Sequence, residues 1–130
     1  MPPTPEHLAI TGSEAAHQTA LFCWCYLPEQ QSKYPELQLL FHIPNGGTRN
    51  KAEAGHLKAQ GVKAGVPDLF LPVPRNVYAG LWIEMKAKKN KTSLEQDRWI
   101  VALNQNGFAV SICHSWIEAA QHLKCYLELK

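Results

Sequence analysis

The chain is expected to fold as an α/β domain, a four-stranded mixed sheet flanked by helices on both sides. Three observations carry that expectation. Short stretches dense in large apolar residues alternate with longer stretches that carry helix caps and helical apolar spacing. Their order is α-β-α-β-β-α-β-α, and mixed connections of this kind imply a mixed sheet with helices packed on it. The chain has 130 residues, the size of one domain of roughly 100–150 residues, enough for a core without disulfide or metal staples.

The elements follow in order. Residues 1–10 read as an N-terminal arm. Thr11-Gly12-Ser13-Glu14 matches a capping box, and Leu21, Trp24 and Cys25 continue as an apolar stripe, so a helix is expected over 12–27. The polar stretch 28–35 reads as a loop, and the apolar run 37–43 as a strand ended by the turn Pro44-Asn45-Gly46-Gly47. An Ala-rich helix is expected over 50–60, stopped by Gly61. Residues 66–73 read as a second strand closed by Pro72 and Pro74, and 81–86 as a third. Ser93-Leu94-Glu95-Gln96 is a second capping box, opening a helix with Trp99, Ile100 and Leu103 on one face and stopped by Asn106-Gly107. A fourth strand over 108–113 and a helix over 115–127 complete the order.

Composition narrows the function classes. A hydrophobic fraction of 45% excludes a disordered chain. No apolar stretch approaches the ~18 residues of a membrane span, and the N-terminus has no basic signal-peptide region, so a cytoplasmic protein is expected. Net charge is +2, but residues 44–91 hold nine Lys or Arg against three Asp or Glu, while the flanks are acidic. The middle of the chain can therefore face a polyanion, although a solvated lysine surface explains a modest imbalance equally well. Of the four cysteines, Cys23, Cys25, Cys113 and Cys125, the first two lack the two-residue spacer of a zinc knuckle, so buried free thiols are expected rather than disulfides or a zinc site.

The chemistry is carried by two acidic residues inside apolar strands, Asp68 and Glu84. A charge there is costly unless it is paired or coordinates a metal. Strand alternation puts Leu81, Ile83 and Met85 on one face and Trp82, Glu84 and Lys86 on the other. If the strands of Asp68 and Glu84 pair, two carboxylates and an ammonium converge. Hard oxygen ligands suit Mg²⁺, and a lysine beside the metal can orient or deprotonate an attacking water. Taken singly, each residue also fits a structural ion pair or a turn.

Pro67-Asp68, fifteen intervening residues and Glu84-Met85-Lys86 match the PD-(D/E)XK nuclease signature. With the segments 42–49 and 61–68, Gln96 and Gly107 in the same order, the chain resembles the VRR-NUC family, the virus-type replication–repair nucleases, over roughly residues 12–120. The resemblance implies a single nuclease domain over 1–130 with a restriction-endonuclease-like core that cleaves DNA with Mg²⁺ or Mn²⁺. It implies Asp68, Glu84 and the Met85 carbonyl as metal ligands, completed by Glu14. It implies Lys86 as the catalytic lysine, with Gln96 as the glutamine of the following helix.

Glu14 and Gln96 each also read as the third residue of a capping box, yet each lies on the inward face of its helix. His42 ends a strand and is a candidate contact to phosphate or water. Asn45, Arg49 and Lys51 lie in or after a turn able to cradle an anion. Lys88, Lys89 and Lys91 follow the catalytic lysine and are expected to contact the DNA backbone. Compact relatives of the family are associated with homodimers that cut branched DNA. The expected activity is therefore that of a phage-like, homodimeric, metal-dependent endonuclease of four-way (Holliday) junctions. A flap or single-strand nuclease with the same site, and a non-catalytic DNA-binding subunit, are the alternatives.

Overall fold

The computed structural model describes residues 2–44 and 50–130. The expectations for Asn45, Arg49 and the glycine turn between them lie outside the described residues. Four strands form one mixed sheet: β1 (Phe41–His42), β2 (Leu69–Leu71), β3 (Leu81–Met85) and β4 (Ala109–Cys113), in the spatial order β1-β2-β3-β4. β1 and β3 run antiparallel to β2, and β4 runs parallel to β3. A parallel pair needs a long crossover, which α5 (Leu94–Gln105) supplies.

Burial follows the alternation of β3. Leu81, Ile83 and Met85 are all but inaccessible and share one core with α2 (Glu14–Cys25) and α6 (Trp116–Leu127). α2 contributes Ala20, Leu21, Trp24 and Cys25, and α6 contributes Trp116, Ala119, Ala120, Leu123, Tyr126 and Leu127. Fully burying a leucine or isoleucine stabilises by about 1.5–3 kcal/mol, and Leu21, Leu69, Leu71, Ile83 and Leu123 each reach that limit. Glu84 points the other way, toward α5, so helices cover both faces as expected.

Four local expectations change. The arm contains a short helix, α1 (Pro5–Leu8), capped by Thr4 with Pro5 in its first turn and buried; Leu8 and Ala9 pack on the core. The expected loop over 28–35 folds as α3 (Pro28–Lys33), followed by a 3-10 turn over Pro35–Leu39. Both prolines start their helices, where the missing N–H costs nothing. The 3-10 turn takes the first three residues of the expected first strand, with Leu37 and Leu40, three apart, as the buried pair, and only Phe41 and His42 join the sheet as a strand. Finally, the cap of α2 is Ser13 and not Thr11: Ala16 N–H donates to Ser13 Oγ at 3.0 Å. Glu14 is therefore the first residue of the helix and takes no part in a capping box.

α4 (Lys51–Ala59) is capped by Asn50 and carries no buried residue. Beyond it the chain returns to the sheet through Gly65, at φ +91°, where an added Cβ would lie 2.7 Å from the main-chain carbon and oxygen of Glu95 in the first turn of α5. Gly65→Ala therefore combines left-handed strain with a backbone clash. It is expected to cost about 2–4 kcal/mol, read as a lowered denaturant midpoint at unchanged slope.

Candidate active site

The site is assembled where β2 meets β3. Leu69 pairs with Ile83, so Asp68 stands opposite Glu84 one step along the antiparallel register. Pro67, fully buried, brings no N–H to this position. The Asp68 carboxylate instead enters the ladder: Met85 N–H donates to Asp68 Oδ2 at 2.8 Å. The Asp68 carbonyl accepts from Ile43 N–H at 2.7 Å, and His42 Nδ1 lies 3.0 Å from the same oxygen. The acidic residue of the motif is thus fixed through its main chain to β1 and through its side chain to β3.

Glu84 is 3% exposed. Its Oε1 accepts from Gln96 Nε2 at 2.7 Å, while its Oε2 is buried without a hydrogen-bond partner among the described residues. Burial, and then the charge of Asp68, push the Glu84 carboxyl up to about 8, against the pull of the Lys86 ammonium. Asp68 is likewise raised, chiefly by burial, with the Met85 N–H and the charges of His42 and Lys86 acting the other way. A buried carboxylate oxygen left bare beside a second carboxylate is expensive unless a cation completes it. The donor set, all hard oxygen, fits Mg²⁺ or Mn²⁺.

Gln96 performs both roles open in the sequence. Its Oε1 accepts from Ser93 N–H at 2.8 Å and Ser93 Oγ accepts from Gln96 N–H at 3.2 Å, closing the capping box, while its Nε2 holds Glu84. The capping contact orients the amide so that only a donor faces the carboxylate. Lys86 is half-buried; its N–H extends the β3–β4 ladder to the Cys113 carbonyl at 2.9 Å, and among the described residues its ammonium forms no ion pair. Glu14 Oε1 accepts from Ala87 N–H at 3.3 Å, which ties the first turn of α2 to the segment just after Lys86. The charge of Glu14 acts on both Asp68 and Glu84.

Lys88, Lys89 and Lys91 are exposed on the turn that follows, with Lys88 at φ 51° and Asn90 N–H closing onto the Ala87 carbonyl. Lys51 is exposed in the first turn of α4. The structure thus gathers Asp68, Glu84, Met85, Lys86, Gln96, Glu14 and His42 at one end of the central strands.

Of two further contributors, the sequence places Trp82 on the Glu84 face but gives no sign of the role of Gly65. Gly65 lets the chain pass against the start of α5, the turn that delivers Gln96. Trp82 stacks on Phe70 at 4.2 Å, with Phe108 edge-on to both, and forms an aromatic layer on the Glu84 face of the sheet. The Phe70–Trp82 pairing was open to discovery from register, since both flank the acidic residues by two positions.

Comparisons with known proteins agree with this arrangement. The VRR-NUC domain family model matches residues 7–116. A solved structure described as a VRR_NUC domain protein shares 28% identity, covers 89% of this chain and 88% of its own, and aligns with a TM-score of 0.72. A search of curated proteins finds no match. No described helix is long and apolar enough to cross a membrane. With its motif carboxylates opposed across β2 and β3 and the family match running through nearly all of its elements, the chain belongs to the VRR-NUC family, a nuclease family of the PD-(D/E)XK type.

Proposed function

We propose that the protein is a divalent-metal-dependent, structure-selective DNA endonuclease that acts on four-way junctions as a homodimer. The observation that carries the catalytic reading is Glu84: one carboxylate oxygen held by Gln96, the other buried and, among the described residues, bare, opposite Asp68 and beside an ammonium without an ion pair there.

Asp68 and Glu84, with the Met85 carbonyl and Glu14, would hold Mg²⁺ or Mn²⁺. Such an ion, when bound, lowers the pKa of water and offsets charge building on the phosphate. The rest is done by the chain. Gln96 Nε2 keeps Glu84 turned toward Asp68. The Lys86 Nζ orients the attacking water and neutralises charge at the scissile phosphate. The exposed lysines 88, 89 and 91 follow Lys86 on the next turn and suit flanking phosphates, with Lys51, Arg49, Asn45 and His42 offering further contacts. Contacts to phosphate read backbone shape and not sequence, which favours a branched substrate.

The test is cleavage of labelled four-way junction, 5′ flap, single-stranded and duplex DNA with Mg²⁺ or Mn²⁺, together with the solution mass. Paired symmetric nicks in the junction by a dimer support the reading. Preference for flap or single strands keeps the site and replaces the substrate. DNA binding without cleavage of any substrate overturns the catalytic assignment.

Gln96 gives a finer check. Gln96→Ala is expected to lower cleavage about 10–100-fold and to cost ~1 kcal/mol from the lost cap. Gln96→Glu, which can still accept from Ser93 N–H, is expected to lose cleavage with little change in melting temperature, because it sets a carboxylate against Glu84.

A further inference from the structure

On the opposite face of the sheet a second set of metal-ligating side chains comes together. β4 ends at Cys113, whose side chain is fully buried in the core and which pairs with Met85 in register. α6 starts three residues later and sets Glu118 and His122 on one face, four residues apart. Cys113 Sγ, a carboxylate oxygen of Glu118 and a ring nitrogen of His122 all lie within 4.8 Å of one another, the group of three such donors found among the described residues.

Glu118 has an ordinary role as well. It sits in the first turn of α6, its N–H donates to Ser115 Oγ at 3.1 Å, and its Oε2 accepts the His114 N–H at 3.4 Å. That contact leaves Oε1 uncommitted and holds the carboxylate beside the thiol. The Cys113 thiol takes part in no hydrogen bond or disulfide among the described residues. Capping accounts for Glu118 and core packing for the buried sulfur, but neither accounts for the imidazole turned toward them.

From this geometry we propose that Cys113, Glu118 and His122 bind a zinc-type divalent cation, at a site separate from the Asp68–Glu84 centre. The ligand chemistry separates the two. An all-oxygen set takes Mg²⁺ or Mn²⁺, whereas thiolate with imidazole selects zinc and its borderline neighbours. Tetrahedral zinc with Zn–S of about 2.3 Å and Zn–N or Zn–O of about 2.0–2.2 Å puts its ligand atoms roughly 3.5 Å apart, so the three, within 4.8 Å of one another, need draw together only slightly to bind. A fourth position is left for water. Binding replaces the thiol proton with the Zn–S bond and releases that proton to solvent. Burial pushes the free thiol up to about 12, so uptake weakens as pH falls.

The site reaches the catalytic strand through the backbone. The Cys113 carbonyl accepts the Lys86 N–H at 2.9 Å, so an ion on Cys113 braces the end of the ladder from which Lys86 projects.

Cobalt titration of the reduced, chelator-treated full chain tests this. Expected is one equivalent of Co²⁺ giving a thiolate-to-cobalt charge-transfer band with intense visible absorption, displaced by Zn²⁺. The band should vanish in Cys113→Ser, and the affinity should fall about 10–100-fold or more in His122→Ala, a half-exposed position that leaves the core intact. It should persist in Cys125→Ser and in Asp68→Ala, which separates it from the hydrolytic centre. Absence of the band from the wild type, its survival in Cys113→Ser or in His122→Ala at full affinity, or its loss in Cys125→Ser would overturn the site.

Discussion

Lys86→Ala is expected to abolish cleavage while leaving the fold in place. The two consequences separate because the residue does two things through different atoms. Its N–H bonds the Cys113 carbonyl and stays in the variant, whereas its ammonium has no ion pair to lose among the described residues. A positioned acid–base group contributes about 10²–10⁴ in rate, and charge stabilisation at the phosphate adds to it, so a loss of at least ~10³ is expected. Asp68 needs a different substitution. Its Oδ2 accepts the Met85 N–H, so alanine would also strip a ladder hydrogen bond, at about 1–3 kcal/mol. Asp68→Asn keeps an acceptor and removes the charge, and is expected to lose cleavage to a similar extent at near-native melting temperature. Initial rates on junction DNA with Mg²⁺ and Mn²⁺, beside thermal melts, read both. Rates within tenfold of wild type in either variant would remove these residues from the reaction.

The second large effect is on stability against pH in the absence of divalent ions. Folded Glu84 is pushed up to about 8 from an ordinary 4.5, first by burial and then by the charge of Asp68. The folded protein therefore keeps a proton that the unfolded chain has released. The stability this contributes is full below about pH 4.5 and is lost as pH rises through about 8; Asp68, also raised, acts in the same direction. At about 1.4 kcal/mol per unit, the upper bound for Glu84 is roughly 5 kcal/mol. Denaturant midpoints in chelator should thus fall between about pH 5 and about pH 9. Glu84→Gln should flatten that fall, since a neutral amide can still accept from Gln96. Saturating Mg²⁺ should restore stability most at the alkaline end, where the cation replaces the missing proton. A wild-type profile that is flat or rising over this range would contradict the burial of an uncompensated Glu84.

Where sequence reading succeeded, the physics was local or strongly periodic. The alternation of Leu81, Ile83 and Met85 with Trp82 and Glu84 is what the sheet buries and turns. The Ser93–Gln96 capping box forms as its spacing implies. Errors fall where two short-range signals compete. Pro28 and Pro35 read as loop markers but open helices. Leu37 and Leu40 lie in a run whose apolar density favours a strand while their spacing of three favours a 3-10 turn, and Thr11 opens a box pattern although Ser13 is the cap. The opposition of Asp68 and Glu84 was legible through the motif, since strand pairing over sixteen residues leaves no local trace. That one glutamine amide serves both a cap and a carboxylate needed the packing of α5 against β3. Cys113, Glu118 and His122 lie within ten residues of chain, and a cysteine at a strand end before a Glu-x-x-x-His helix was the signal available.

α4 is held by its cap at Asn50 and by its own turns, with nothing of it in the core. A nine-residue helix is shorter than the ~12–15 residues at which isolated helices become even marginal in water. Its amides should therefore exchange with solvent orders of magnitude faster than those of β3, through openings that leave the sheet closed. The same independence has a consequence on an evolutionary timescale. α4 itself can be lengthened, trimmed or exchanged for another module without repacking a core side chain, provided the return through Gly65 and the buried Pro67 is kept, so that Asp68 and Glu84 stay opposed.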